Sequence, residues 1–335
     1  MISSRITLGC MSLGEDSGDR WNSGRFVPDK DTGITWVRRA IDTGIIHLDT
    51  AQGYGNGQSE RWLGEALQTV PRESVQVTTK IGRAVDDHPH PFCAANIRAV
   101  CDQALRNLGL ERLDYFMFHH LRFDDYADEA LATMQELVEA GKIGSYAACP
   151  IFGLRDTAAQ WPGLHPGHWH THGGPFWLIT TYIDLSFAAD RDEPVVIFAP
   201  YLYGLLTGRW GVADRPAVEQ RFQQHGWRHP WFFDTPEPHG FYNQAHDIGE
   251  TLAAIDRVKR AFSVDADGFR SLLLRYCWAL PAVQSICIGF SRWQHIEETL
   301  AAAAAPPLDA AECQLFRELI LPTDASGELA APPSA

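Results

Sequence analysis

Short, nearly continuous apolar stretches recur along this chain, each followed by a segment of helical periodicity. The predicted strands fall at 6–11, 45–49, 75–81, 113–119, 143–149, 177–182, 194–199 and 284–288. The predicted helices between and after them lie at 31–43, 58–69, 94–108, 126–140, 152–160, 267–280 and 292–304, with a brief segment before the seventh strand. In the third of these, Ile97, Cys101, Ala104, Leu105 and Leu108 keep helical spacing. Strands that are apolar on both faces and joined by helices belong to a parallel sheet covered on both sides. Eight such units predict an α/β fold closed as a (β/α)8 TIM barrel, with an open doubly wound sheet as the alternative. One domain is expected over 1–322, interrupted by a long insertion at about 204–265 on the C-terminal face, with a loose tail at 323–335.

The charge balance narrows the partners. There are 28 Lys and Arg against 42 Asp and Glu, a net charge of −14, and no basic stripe interrupts it. A nucleic-acid partner is disfavoured, and a small-molecule substrate is expected instead. No apolar stretch reaches the roughly 18 residues of a membrane helix. The first twenty residues lack the basic and apolar regions of a signal peptide. Seven cysteines occur as scattered singles, the pattern of free thiols in a reducing compartment, so a cytoplasmic location is expected. Nothing in the pattern sets an oligomeric state.

On the strand map, Asp49 ends the second strand, Lys80 stands at the end of the third and His119 ends the fourth, while Tyr54 follows Asp49 in the next loop. Active sites of α/β barrels lie at the carboxyl ends of the strands, so these four side chains are expected on one rim. Each has a bland reading when taken singly: a helix cap, a packed ring, a solvated lysine, a structural imidazole. Together they fit carbonyl chemistry. A phenol with a pKa near 10 is a weak acid, and an adjacent ammonium would lower that value. Asp49 would keep Lys80 charged, and His119 would hydrogen-bond and orient a carbonyl. The segment HPGHWHTHGG, with His165, His168, His170 and His172, is read as a solvated turn-forming loop. No carboxylate or cysteine nearby completes a ligand set, so no metal is expected.

The segment HLDTAQGYGNGQSERWLGEAL, followed in order by VTTKIG and LDYFMFHH, resembles the aldo-keto reductase family. LGCMSLG, GKIGSYA, GLLTG at 204–208 and SICIGFSRWQHIEETL fall in the same order, and the resemblance covers roughly residues 5–305. It implies Tyr54 as general acid/base, Lys80 and Asp49 tuning it, and His119 orienting the substrate. It also implies NADPH, or less often NADH, bound without a glycine-rich dinucleotide turn. The positions implied for the cofactor are Cys149, Ile179, Phe198, Pro200, Gly204, Leu205, Gly208, Gly289, Ser291, Arg292 and His295.

Departures from the family pattern concentrate at the nicotinamide end. Cys149-Pro150 stands in place of Ser-Asn, and Ile179 in place of a sixth-strand Gln. Phe198 replaces a stacking Tyr and keeps its π face. Each lost hydrogen bond is worth about 0.5–1.5 kcal/mol. Two enzymatic readings therefore stand. One is an NAD(P)H-dependent oxidoreductase that reduces the aldehyde or ketone of a bulky substrate of natural-product or sugar type, with Tyr54 as proton donor. The other is a redox-neutral dehydratase, isomerase or cyclase that keeps the acid/base cluster without the nicotinamide. A non-catalytic binding protein is a third reading. Substrate contacts are expected from Trp21, His120, Trp227 and Trp231 in loops above the barrel.

Overall fold

The computed structural model describes residues 5–14, 28–121, 126–150, 154–172, 185, 187–201, 204–224 and 248–320. Eight strands close into one parallel barrel in sequence order. They are β1 (Ile6–Gly9), β2 (His47–Asp49), β3 (Gln76–Ile81), β4 (Leu113–Leu121), β5 (Ile143–Pro150), β6 (Trp169–His172), β7 (Val195–Phe198) and β8 (Val283–Gly289). The circle closes where Thr7 pairs with both His47 of β2 and Cys287 of β8.

The helices form the outer layer: α1 (Lys30–Asp42), α2 (Gln58–Leu67), α3 (Ala94–Leu108), α4 (Ala127–Glu139) and α5 (Leu154–Gln160). They continue as α6 (Arg215–Gln224), α7 (Ile248–Ala261), α8 (Ala266–Trp278), α9 (Trp293–Ala304) and α10 (Ala310–Ile320). Local chemistry sets their ends. Asp29 caps α1, its carboxylate accepting from the Thr32 backbone N–H at 2.9 Å and hydroxyl at 2.8 Å. Asp265 caps α8 through the Gly268 N–H at 2.9 Å. The apolar stripe of α3, with Ile97, Val100, Cys101, Ala104 and Leu108 buried, turns inward against the strands as its spacing predicts. Gly64 lets α2 approach the end of α3: a Cβ there would stand 2.7 Å from the carbonyl oxygens of both Asn107 and Leu108.

Two expectations change. The expected sixth strand at 177–182 lies outside the described residues; the sixth strand of the barrel is Trp169–His172, within the segment expected to be a solvated loop. Alternation explains the correction. Trp169 is fully buried in the layer between barrel and helices, while His168 and His170, both buried, point into the barrel. Polar residues at alternate positions disguise a strand whose inward face meets other polar groups. His165 does remain on the outside, its ring largely exposed beside Glu193. The second change is within the expected insertion, where α6 and α7 are regular helices; residues 225–247 lie outside the described set. The alanine-rich stretch resolves into the end of α9 and the start of α10, whose Phe316 stacks on Tyr276 at 4.5 Å between centroids.

The barrel interior is unusually polar. At its lower end the Thr7 hydroxyl lies 2.7 Å from the Ser285 hydroxyl and 3.1 Å from Nδ1 of His47. Nε2 of His47 lies 2.7 Å from the Thr78 hydroxyl, so four strands are joined by one buried chain of hydrogen bonds. Above it, Met117, Ala147 and Cys149 form an apolar patch with Tyr115 and Phe198 against it.

Candidate active site

Asp49, at the end of β2, and Lys80, near the end of β3, point into the upper barrel, both almost fully buried. Lys80 Nζ donates to Asp49 Oδ1 at 2.5 Å and to the Thr50 carbonyl at 2.6 Å. Tyr54 enters from the loop after β2, where Gly55, Asn56 and Gly57 follow one another with φ of +55°, +52° and +78°. This left-handed run favours glycine and asparagine and turns the chain sharply into α2. The Lys80 ammonium lies 5.0 Å from the centroid of the Tyr54 ring. His119 meets the same ring edge-on at 6.1 Å. A bulge shapes that corner: His119 pairs with Cys149 and Leu121 with Pro150, so the register shifts across His120, whose φ is +57°. The two imidazoles consequently stack, with centroids 4.1 Å apart.

Two residues on the first turn of α2, not singled out from sequence, hold this corner. The Ser59 hydroxyl donates to the Cys10 carbonyl at 2.8 Å and lies 2.7 Å from the Thr50 hydroxyl. Glu60 accepts from the Thr79 hydroxyl at 2.6 Å and from Asn107 Nδ2 at 2.8 Å. Polar residues on the first turn of a helix otherwise predicted as amphipathic are the signal that sequence offered for them.

The electrostatics follow from burial. Desolvation opposes the Lys80 ammonium, but the charge of Asp49, then Tyr54, and the hydrogen bond to Asp49 together lift its pKa above the ordinary value. Burial raises the Asp49 carboxyl, and the Lys80 charge and hydrogen bond pull it back. Tyr54 departs from expectation. Burial of the half-buried phenol outweighs the downward pull of Lys80, so its pKa is raised, not lowered. His119 is driven well below its usual value by burial first, then by His120, Lys80 and Arg83, and is neutral at pH 7. His47 falls to about 4, mainly through burial.

The described candidate cofactor positions follow the carboxyl ends of β5, β7 and β8. Phe198 ends β7, half-buried, and Pro200 is buried just beyond it. The 204–208 loop has glycines at both ends in the left-handed region, Gly204 at φ +100° and Gly208 at +73°, with Leu205 buried between. It is pinned from outside by Lys259 Nζ donating to the Gly208 carbonyl at 3.0 Å and by Arg270 donating to the Thr207 carbonyl at 3.3 Å. Gly289 ends β8 with open space where a Cβ would stand. The Ser291 N–H donates to Nδ1 of His295 at 3.4 Å, and Arg292 precedes α9. Phe290, by contrast, is buried with its ring against Trp36. Burial, then the charges of Arg221 and Arg292, lower the Arg209 guanidinium, so three cations gather at one end. Glycine backbone and clustered arginine suit the phosphates of a dinucleotide. At the other end Cys149 is a buried thiol pushed up to about 12, mainly by burial, and Pro150 has no N–H to donate.

The sixth-strand position is corrected with the strand itself. The residue level with Phe198 is His172; Ile179 lies outside the described residues with Trp21, Trp227 and Trp231. Among the described residues no cluster of His, Cys, Asp or Glu could hold a metal, and no helix is long and apolar enough to cross a membrane.

The fold and these side chains define a parallel (β/α)8-barrel protein with Asp49, Lys80, Tyr54 and His119 gathered at the carboxyl ends of its strands. The aldo/keto reductase family model matches residues 5–151. "Probable aldo-keto reductase 1" of Glycine max is 30% identical over 169 residues, 49% of this chain. That match spans 45% of the soybean protein, so the chain matches about half the length of that relative. "Uncharacterized oxidoreductase YqkF" of Bacillus subtilis (strain 168) is 29% identical over 94% of this chain and 92% of its own length. The fold is shared by an aldo-keto reductase from Klebsiella pneumoniae in complex with NADPH, at a TM-score of 0.65, 20% identity and coverage of 98% and 94%. Over residues 5–151 the chain is thus similar to the aldo/keto reductase family.

Proposed function

We propose that this protein is an NADPH-dependent reductase of aldehydes or ketones in which Tyr54 donates the proton. The observation that carries the reading is the Asp49–Lys80–Tyr54–His119 arrangement, a fixed ammonium beneath a phenol with a neutral imidazole on the other side. The NADPH in the Klebsiella neighbour supports the cofactor, as do the glycine-bounded loop and the arginines of this chain.

Bound nicotinamide cofactor supplies a hydride to the carbonyl carbon. Neutral His119 donates a hydrogen bond to the carbonyl oxygen and holds its trajectory. Tyr54 gives its phenolic proton to that oxygen as the carbon–oxygen double bond opens, leaving an alcohol and a tyrosinate. The tyrosinate then recovers a proton from water. Lys80, kept cationic by Asp49, stabilises the transient phenolate. The raised pKa of Tyr54 keeps the donor loaded at neutral pH. Phe198 offers an aromatic face for the nicotinamide, and Arg209, Arg221 and Arg292 would meet its phosphates. The aromatic residues at 225–247 support a bulky substrate, with Trp227 and Trp231 as its contacts.

Nicotinamide fluorescence tests the reading, using NADPH and NADH titrated into the purified protein, followed by turnover of a carbonyl panel. Micromolar binding and NADPH oxidation that Tyr54→Phe lowers by about 10²–10⁴-fold are expected. One observation favours a second reading: Cys149-Pro150 offers a carboxamide no side-chain hydrogen-bonding partner of the usual kind. If neither nucleotide binds at millimolar concentration, the site performs redox-neutral acid/base chemistry on the same four side chains.

A further inference from the structure

The carboxylate at the base of the site is only half used. Asp49 Oδ1 takes the Lys80 hydrogen bond, while Oδ2, buried, has no partner among the described residues. Facing it across 3.9 Å is Nε2 of His170, which is also buried and also without a partner. An unsatisfied buried carboxylate oxygen and an unsatisfied buried ring nitrogen each cost more than they would if joined. His170 is held for that meeting: its ring stacks on Phe198 at 6.1 Å and lies 5.1 Å from the ring of His168 below it.

We propose that His170 is a positioning residue of the acid/base site, donating from Nε2–H to Asp49 Oδ2 and so fixing the carboxylate that holds Lys80. A shift of about 1 Å closes 3.9 Å to ordinary hydrogen-bond length. The proposal rests on the reductase reading for its kinetic consequences, but the hydrogen bond itself does not. With two donors, Lys80 and His170, Asp49 shares its charge between both oxygens and cannot swing away from the lysine. More of the ammonium field then falls on Tyr54. The groups facing His170 are Asp49 and His47 from β2, Lys80 from β3, His119 from β4, the uncharged Cys149 thiol from β5 and His168 just before its own strand. Burial, then these cations and imidazoles, keep His170 neutral, which leaves one ring nitrogen to donate.

Two measurements test this on the full chain. In ¹⁵N-histidine spectra of the unliganded protein, His170 is expected as the Nε2–H tautomer, protected from solvent exchange; the Nδ1–H tautomer would overturn the proposal. In carbonyl reduction, His170→Leu is expected to lower kcat about tenfold and move the alkaline limb of its pH profile upward, with the cofactor Kd unchanged. His170→Gln, which restores an N–H, is expected within twofold of wild type. Equal rates and pH limbs in all three proteins, or a Gln variant no better than Leu, would also overturn it. If wild type reduces no carbonyl, the reductase reading fails alone, and the tautomer still decides the hydrogen bond.

Discussion

Lys80 Nζ and Asp49 Oδ1 are 2.5 Å apart with side chains only 3% and 5% exposed, a charged pair inside the barrel with little water to share. Removing one member of such a pair leaves an uncompensated buried charge. Lys80→Met should therefore destabilise the fold by about 3–5 kcal/mol in urea unfolding. The double variant Asp49→Leu/Lys80→Met should recover most of that loss. A single variant within 1 kcal/mol of wild type would mean that Asp49 sheds its charge at little cost.

The buried imidazoles make stability depend on pH. His47 is depressed to about 4, chiefly by burial, and burial likewise drives His119, His168 and His170 well below their usual value. Unfolded histidine titrates near 6.5, so below that pH the unfolded chain binds protons that the native barrel refuses. The stabilisation is complete above pH 6.5 and is lost as the pH falls toward the folded values. Between pH 6.5 and 5.5 each of these four histidines should remove about 1 kcal/mol, roughly 4 kcal/mol together. Urea midpoints across that interval measure it, and His47→Gln should flatten the slope by about a quarter.

Gly64→Ala tests the α2–α3 contact. Its Cβ would meet two backbone carbonyl oxygens at 2.7 Å, and backbone yields less readily than a side-chain tip. The loss should be about 1–3 kcal/mol despite the higher helix propensity of alanine. A thermal midpoint equal to or above wild type would show that the two helices slide apart freely.

Arg292 stands at the start of α9, close enough to Arg209 for its charge to be felt there. If it meets the 2′-phosphate, Arg292→Leu should weaken NADPH about tenfold and NADH less than twofold, as read by fluorescence titration. Rising salt should weaken NADPH binding to wild type more than to the variant.

Much of this was legible in the sequence because barrel strands and helices leave different periods. Asp49, Lys80 and His119 could be placed on one rim from strand ends alone. The sixth strand could not. Periodicity finds a strand by its apolar face, and here the inward residues His168 and His170 are imidazoles, matched to His47 and Asp49 on a strand more than 100 residues earlier. The same blindness hid His170 and His168, whose surroundings exist only once the barrel closes. Ser59 and Glu60 lay in plain view as polar residues on a helix, but their targets, Cys10, Thr50, Thr79 and Asn107, come from four separate segments. The direction of the Tyr54 shift also required structure, because a charge nearby can be read from sequence and the water removed around it cannot.

The short sixth strand has one more effect. Among the described residues, β5 and β6 share a single register pair, Ala148 with Trp169, flanked by N–H donations from Gly167 to Tyr146 and from Ala148 to His168. Every other neighbouring pair is longer. A closed ring parts first at its thinnest seam, and this seam runs directly beneath Cys149 and His170. The barrel is thus rigid where it holds Lys80 and Asp49 and most easily loosened along the neighbouring wall, where a bulky guest would press. Amide exchange should be fastest there.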